Sequence, residues 1–203
     1  MEPLEIEVKF HLLDRKPIRD RLLDIGAETT GRVFETNLRF EDDDKTLLQK
    51  KSLLRLRWDT KTTLTFKSEP SIQDSQFKIF KELEVEVSDF STMSRILESL
   101  GFHKEQTYEK WREIFILNDT HFCIDTMPFG DFLEIEGEKA DIKNYASAIG
   151  QKWEKRILFN YLAIFDILKE KMDLPFSDVT FSNFKNVRFD FSKYVHLFEA
   201  GRE

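Results

Sequence analysis

Three kinds of side-chain pair recur at a spacing of two along this chain. Glu5-x-Glu7 is followed by Lys9. Arg55-x-Arg57 and Lys110-x-Arg112 are pairs of bases. Glu82-x-Glu84-x-Glu86 and Glu134-x-Glu136 are further carboxylates, with Asp125 a few residues before the last pair. A spacing of two puts both members on one face of a strand, about 6.5–7 Å apart. Carboxylates at that separation can each hold an oxygen-loving divalent cation, and arginine and lysine pairs suit phosphate oxygens. A single strand of this kind reads first as an ordinary solvated face. The repetition in both signs of charge makes it a candidate for phosphate chemistry.

The residues between the charges are apolar. Ile6, Val8 and Phe10 alternate with Glu5, Glu7 and Lys9; Leu54, Leu56 and Trp58 alternate with Arg55 and Arg57. Residues 4–10, 32–40, 53–58, 63–67, 82–87, 106–117, 122–125 and 132–137 are therefore predicted strands. Thr63, Thr65 and Lys67 share a face, as do Asn37, Arg39 and Glu41. Residues 14–26 and 91–101 carry helical stripes, each ending in glycine (Gly26, Gly101), with Asp14 and Ser91 as expected N-caps. A short helix is predicted over 141–150 and a longer one over 153–172. Residues 68–76 and the run Asp42-Asp43-Asp44 read as loops.

About eight strands with one charged and one apolar face can close into a barrel, charges inward, with the helices covering the apolar outside. So many charges cannot sit in a dry core, because each costs several kcal/mol to desolvate. The interior must be wet and its charges must pair with one another or with a ligand. A triphosphate with Mg²⁺ or Mn²⁺ meets both signs at once, since metal bridges the carboxylates to the anion.

Composition narrows the classes. The chain has 203 residues, a formal charge of −7, 20 phenylalanines and one cysteine, Cys123. The negative balance argues against nucleic acid as a partner. An intrachain disulfide is impossible, and no apolar run approaches the ~20 residues of a membrane span. The start carries no basic, then apolar, leader, so the reading is cytoplasmic. The four histidines lack metal-type spacing. His11 shares the face of Lys9 and could reach a tunnel mouth, and Cys123 reads as a small apolar filler. Residues 1–172 are expected to form the barrel domain. Residues 173–203, with Phe176, Phe181, Phe184, Phe189, Phe191 and Phe198, are an extension packing on the same domain as core or lid, a homodimer contact being the lesser alternative.

Glu5-Ile6-Glu7-Val8-Lys9 resembles the Glu-x-Glu-x-Lys signature of the CYTH superfamily, the triphosphate tunnel metalloenzymes. Leu54-Arg55-Leu56-Arg57, Thr65-Phe66-Lys67 and Lys110-Trp111-Arg112 look like its later basic strands. The stretch from Cys123-Ile124-Asp125 to Gly130-Asp131-Phe132-Leu133-Glu134-Ile135-Glu136 is similar to the closing hairpin of the class IV adenylyl cyclase-like branch. The likeness runs over about residues 4–170. Arg39 and Ser52 depart from it, standing where an aromatic and a glycine are common. The resemblance implies an α+β fold with an eight-stranded antiparallel tunnel. It implies metal ligands at Glu5, Glu7, Glu134 and Glu136, and triphosphate binding by Lys9, Arg55, Arg57, Lys67, Lys110 and Arg112. Glu5, Glu7, Lys9, Lys67 and Asp125 would carry catalysis, with Glu82 and Glu84 in a supporting tier. Two activities fit: hydrolysis of tripolyphosphate or a nucleoside triphosphate, and cyclisation of ATP to cyclic AMP and pyrophosphate. A non-catalytic polyphosphate binder is the third reading.

Overall fold

The computed structural model describes residues 4–70, 74–188 and 190–201. Residues 71–73 of the expected loop, Phe189 of the tail and the first three residues lie outside that range. Among the described residues the chain runs β1 (Leu4–Leu12), α1 (Lys16–Asp24), β2 (Glu28–Glu41), α2 (Thr46–Gln49), β3 (Leu53–Trp58), β4 (Thr62–Ser68) and β5 (Lys78–Val87). It continues through α3 (Phe90–Ser99), β6 (His103–Leu117), β7 (Thr120–Met127), β8 (Gly130–Glu136), α4 (Lys139–Ala148), α5 (Tyr161–Met172) and α6 (Phe181–Phe184). The eight strands close into an antiparallel barrel in the order β1-β5-β4-β3-β2-β6-β7-β8.

Alternation decides which way each strand faces. Val8, Phe10, Phe122, Ile124, Leu133 and Ile135 point outward and are buried under α1 and α4. Leu38, Phe40, Leu54 and Leu56 are buried outward under α3, through Leu97. With charges inside, the apolar core is thus a set of patches between barrel and helices. Gly26 and Gly101, at φ +90° and +94°, take the left-handed step after α1 and α3 that β-carbons disfavour.

The tail is the third patch, and it closes one end of the barrel. His11, Met127 and Phe132 have inward parity but carry no tunnel function. Phe191 packs 4.7 Å from the His11 ring and 5.1 Å from Phe132, and Tyr161 lies 5.2 Å from Phe132. Main-chain pairing seals the same end. β1 pairs with β5 only over Leu4–Glu7, and Ile157 then takes up the backbone of Lys9. Val179 does the same for Thr107 and Glu109 on β6.

Several predicted boundaries are corrected. The helix expected over 153–172 is broken. A single 3-10 turn, Trp153–Lys155, precedes the Ile157 bridge, and α5 starts only after Asn160, whose side chain accepts from Ala163 N at 2.7 Å. Asp14 is not the N-cap of α1; Arg15 holds that position and Asp14 accepts from Lys16 N one step outside it. Asp89, not Ser91, caps α3. Asp42 is not merely solvated: with Glu41 it accepts the free amides of α2. His11 is no mouth residue, being packed into the aromatic plug.

Candidate functional site

The barrel encloses a cavity of about 840 Å³ that opens to solvent. Glu5, Glu7, Lys9, Arg55, Arg57, Lys67, Glu82, Glu84, Lys110, Arg112, Glu134 and Glu136 all border it. These come from six strands, so sheet closure brings together residues more than a hundred positions apart.

The carboxylates gather where β1 meets β8. Glu7 stands directly opposite Glu136, and Lys9 opposite Glu134. Lys9 Nζ bridges Glu7 at 2.7 Å and Glu134 at 3.0 Å, and its own exposure is 2%. Glu5 pairs with Lys67, which also reaches Glu82 at 3.3 Å. Burial alone would raise the Glu7 carboxyl, but Lys78 and Lys9 hold it well below the usual range. Among the described residues Glu136 has no ion-pair partner, and the Lys67 charge offsets only part of what raises it. Burial and the charges of Glu5 and Glu7 push its carboxyl up to about 7. Opposed, mutually repelling oxygen donors of this kind suit a hard divalent cation. Among the described residues no three such side chains form a ready-made cage.

The bases fill the β3–β2–β6 wall. Arg55 donates to Thr65 Oγ1 at 3.1 Å and Tyr108 Oη at 3.5 Å. Arg57 lies 3.6 Å from Glu84, which also approaches Arg55 at 3.8 Å. Glu86 sits at the rim on Lys61. Asp125 is placed differently from the expectation that it acts on a substrate. It has no exposed surface and accepts from Lys110 at 3.0 Å, from Arg112 Nε at 2.7 Å and from Tyr161 Oη at 2.9 Å. It therefore clamps the basic pair from behind.

The sequence reading missed Lys78, Glu35, Asn37 as a site residue, Tyr108, Tyr161 and His121. Lys78 shares the parity of Glu82, but the clear alternation starts only at Glu82, four residues into the strand. It hydrogen-bonds Glu7 from inside the tunnel. His121 borders the mouth opposite Glu136. Tyr161 lies under two ammonium groups, Lys9 at 5.2 Å and Lys110 at 5.5 Å from its ring. Cys123 faces the cavity as a buried thiol, pushed up to about 12 by burial, in keeping with a filler.

Glu35, 1% exposed, lies 3.5 Å from Lys110 and 3.7 Å from Arg112. Burial would raise its carboxyl, yet Lys110 and Arg112 bring it down to about 2 from 4.5. A carboxylate lowered by folding contributes stability that is in place above pH 4.5 and is lost as pH falls toward 2. Glu35→Gln is expected to cost about 3 kcal/mol at neutral pH. Paired thermal melts of variant and wild type from pH 7 to pH 3 should show the gap narrowing. A constant gap would remove Glu35 from the basic cluster.

A closed antiparallel barrel with facing carboxylate and basic walls defines the class: a charged-tunnel protein. The CYTH domain model matches residues 3–167, and the chain belongs to that family. A candidate adenylate cyclase of Methanocaldococcus jannaschii is 28% identical over 153 residues, covering 74% of this chain and 86% of the relative. A Pyrococcus horikoshii structure is 28% identical with a TM-score of 0.67, covering 77% of this chain and 96% of its own. A Hippeastrum structure shares the fold at 18% identity and a TM-score of 0.57, covering 80% and 95%; it is described as a candidate adenylyl cyclase with a dominant triphosphatase activity. Among the described residues no helix is long and apolar enough to cross a membrane.

Proposed function

We propose that this protein hydrolyses a triphosphate, inorganic tripolyphosphate or a nucleoside triphosphate, with Mg²⁺ or Mn²⁺. The observation that carries the reading is the opposition, inside one cavity, of the Glu7–Glu136 carboxylate wall to the arginine and lysine wall. Glu5, Glu7, Glu134 and Glu136 would hold the metal, which when bound neutralises phosphate oxygens and lowers the pKa of water. Lys9, Arg55, Arg57, Lys67, Lys110 and Arg112 bind the chain of phosphates and steady charge that develops on the leaving oxygen. Glu82 and Glu84 hold Arg55, Arg57 and Lys67 in the cavity until substrate replaces them. Asp125 positions Lys110 and Arg112 and does not touch the substrate. In hydrolysis water adds to the terminal phosphorus and gives up a proton to solvent, the bridging P–O bond breaks, and diphosphate, or the nucleoside diphosphate, leaves with the electron pair. We further propose a cytoplasmic protein in which residues 1–172 form the tunnel domain and 173–203 plug it.

The identity with the M. jannaschii relative favours one second reading, cyclisation of ATP. There the ribose 3′-hydroxyl loses its proton to solvent and attacks the α-phosphorus, the α–β bridging P–O bond breaks, and pyrophosphate leaves. The test is incubation with ATP and with tripolyphosphate, each with Mg²⁺ or Mn²⁺, and chromatography of the products. Orthophosphate is expected from at least one substrate, and EDTA should stop its release. Cyclic AMP with pyrophosphate would replace hydrolysis by cyclisation. No product, with tripolyphosphate still bound, would make the protein a binder.

A further inference from the structure

One row of the barrel wall holds polar atoms that fold into the interior without a hydrogen bond. Asn37 on β2 stands directly opposite Arg57 on β3, which stands opposite Thr63 on β4; Tyr108 flanks Asn37 on β6. Asn37 is fully buried, yet neither Nδ2 nor Oδ1 has a hydrogen-bond partner. The same holds for Arg57 Nε, Arg55 Nε, Thr63 Oγ1 and Glu35 Oε2. Arg57 Nε is 3.2 Å from Asp59 Oδ2 but lacks the alignment of a hydrogen bond. Buried polar groups are nearly always satisfied, and each exception is costly. Here the exceptions cluster, and they are complementary. The arginine Nε groups are donors, Glu35 Oε2 and Asn37 Oδ1 are acceptors, and directly opposed side chains in a sheet have β-carbons about 4.5–5.5 Å apart.

In this arrangement the guanidinium groups are drawn along the wall toward Glu82, Glu84 and Asp59. An anion in the cavity would compete with those carboxylates for the terminal nitrogens. Turning toward it frees each Nε to find an acceptor on the wall behind. Two unpartnered acceptors face Arg57, Asn37 Oδ1 on β2 and Thr63 Oγ1 on β4, and the carboxamide oxygen is the stronger acceptor of the two.

We infer that Asn37 is a positioning residue for Arg57, accepting its Nε–H only when a triphosphate takes the guanidinium's terminal nitrogens. The inference rests on the triphosphate reading of the tunnel and adds a residue that never touches the substrate. A neutral amide suits the task. An aspartate there would pair with Arg57 permanently and compete with the anion, while an apolar residue would leave Nε only the weaker Thr63 hydroxyl in the bound state.

The telling variant is Asn37→Leu, close to asparagine in size and without polar atoms. Removing an unpartnered amide should leave the melting temperature equal or higher. Tripolyphosphate binding, measured by calorimetry with Mg²⁺ and again with EDTA, should weaken about tenfold, as should KM, with kcat nearly unchanged. Arg57→Ala should weaken binding strongly in the wild type, and much less than additively in the Asn37→Leu background. Unchanged binding in Asn37→Leu, or additive losses, would make Asn37 a structural residue or one satisfied by a trapped water, and the inference would fall while the triphosphate reading stood. Failure of the wild type to bind tripolyphosphate at all would overturn both.

Discussion

Glu136→Gln is expected to lower metal-dependent release of phosphate by about a hundredfold or more, because metal-mediated neutralisation of phosphate charge is worth several kcal/mol. The protein should fold as before. Among the described residues no cation pairs with Glu136; across the sheet it faces Glu7 on one side and His121 on the other, and Glu134 lies two residues along its own strand. Glutamine keeps the shape and removes a repulsive charge, so the metal-free variant should melt at the wild-type temperature or above. Wild type should gain melting temperature on addition of Mg²⁺ or Mn²⁺, by preferential binding to the folded state, and the variant should gain less. The equivalent change at Glu7 is less clean. It would strip Lys78 of its buried partner and leave Lys9 with Glu134 alone, so stability and activity would drop together. Full turnover by Glu136→Gln would withdraw the metal role from β8.

Asp125→Asn is expected to act through stability first. Asp125 is buried without exposure and receives Lys110, Arg112 and Tyr161. Breaking a buried charge pair by removing one partner costs about 3–5 kcal/mol, since the other charge stays buried. An asparagine would also turn an NH₂ group toward one of those donors. Denaturant melts should register the loss. At temperatures where the variant is still folded, KM for the triphosphate should rise, because Lys110 and Arg112 lose the anchor that aims them. A near-wild-type midpoint together with abolished turnover would instead restore Asp125 to a direct part in the chemistry.

The two variants separate two kinds of carboxylate that look alike in the sequence. Glu136 and Asp125 both lie at inward parity on neighbouring strands, each within two residues of another inward group. One borders the cavity and repels its neighbours; the other lies behind it and is saturated with donors. Depth behind the wall is set by what packs against the barrel there, Tyr161 reaching Asp125 from α5. No spacing rule for a single strand carries that information.

What the alternation fixed is local. A period of two commits Glu5, Glu7 and Lys9 to one face and Ile6, Val8 and Phe10 to the other, whatever the partner strands are. The same logic places Arg55 with Arg57, Lys110 with Arg112 and Glu134 with Glu136 independently of any strand pairing. It also required helices outside, because the apolar face had to be covered. The tertiary structure decided everything that depends on which strands meet and in what register. Glu136 faces Glu7, and Asn37 faces Arg57, because the hydrogen-bond ladders of a closed sheet bring distant segments into rows. Lys78 became part of the site because pairing to β1 extended its strand beyond the clear alternation. The predicted long helix broke where Ile157 found the free backbone of Lys9, an edge created only by the short β1–β5 ladder. Side-chain direction along one strand is a property of a few neighbouring residues, whereas register, depth and closure are properties of contacts that exist only once the barrel has formed.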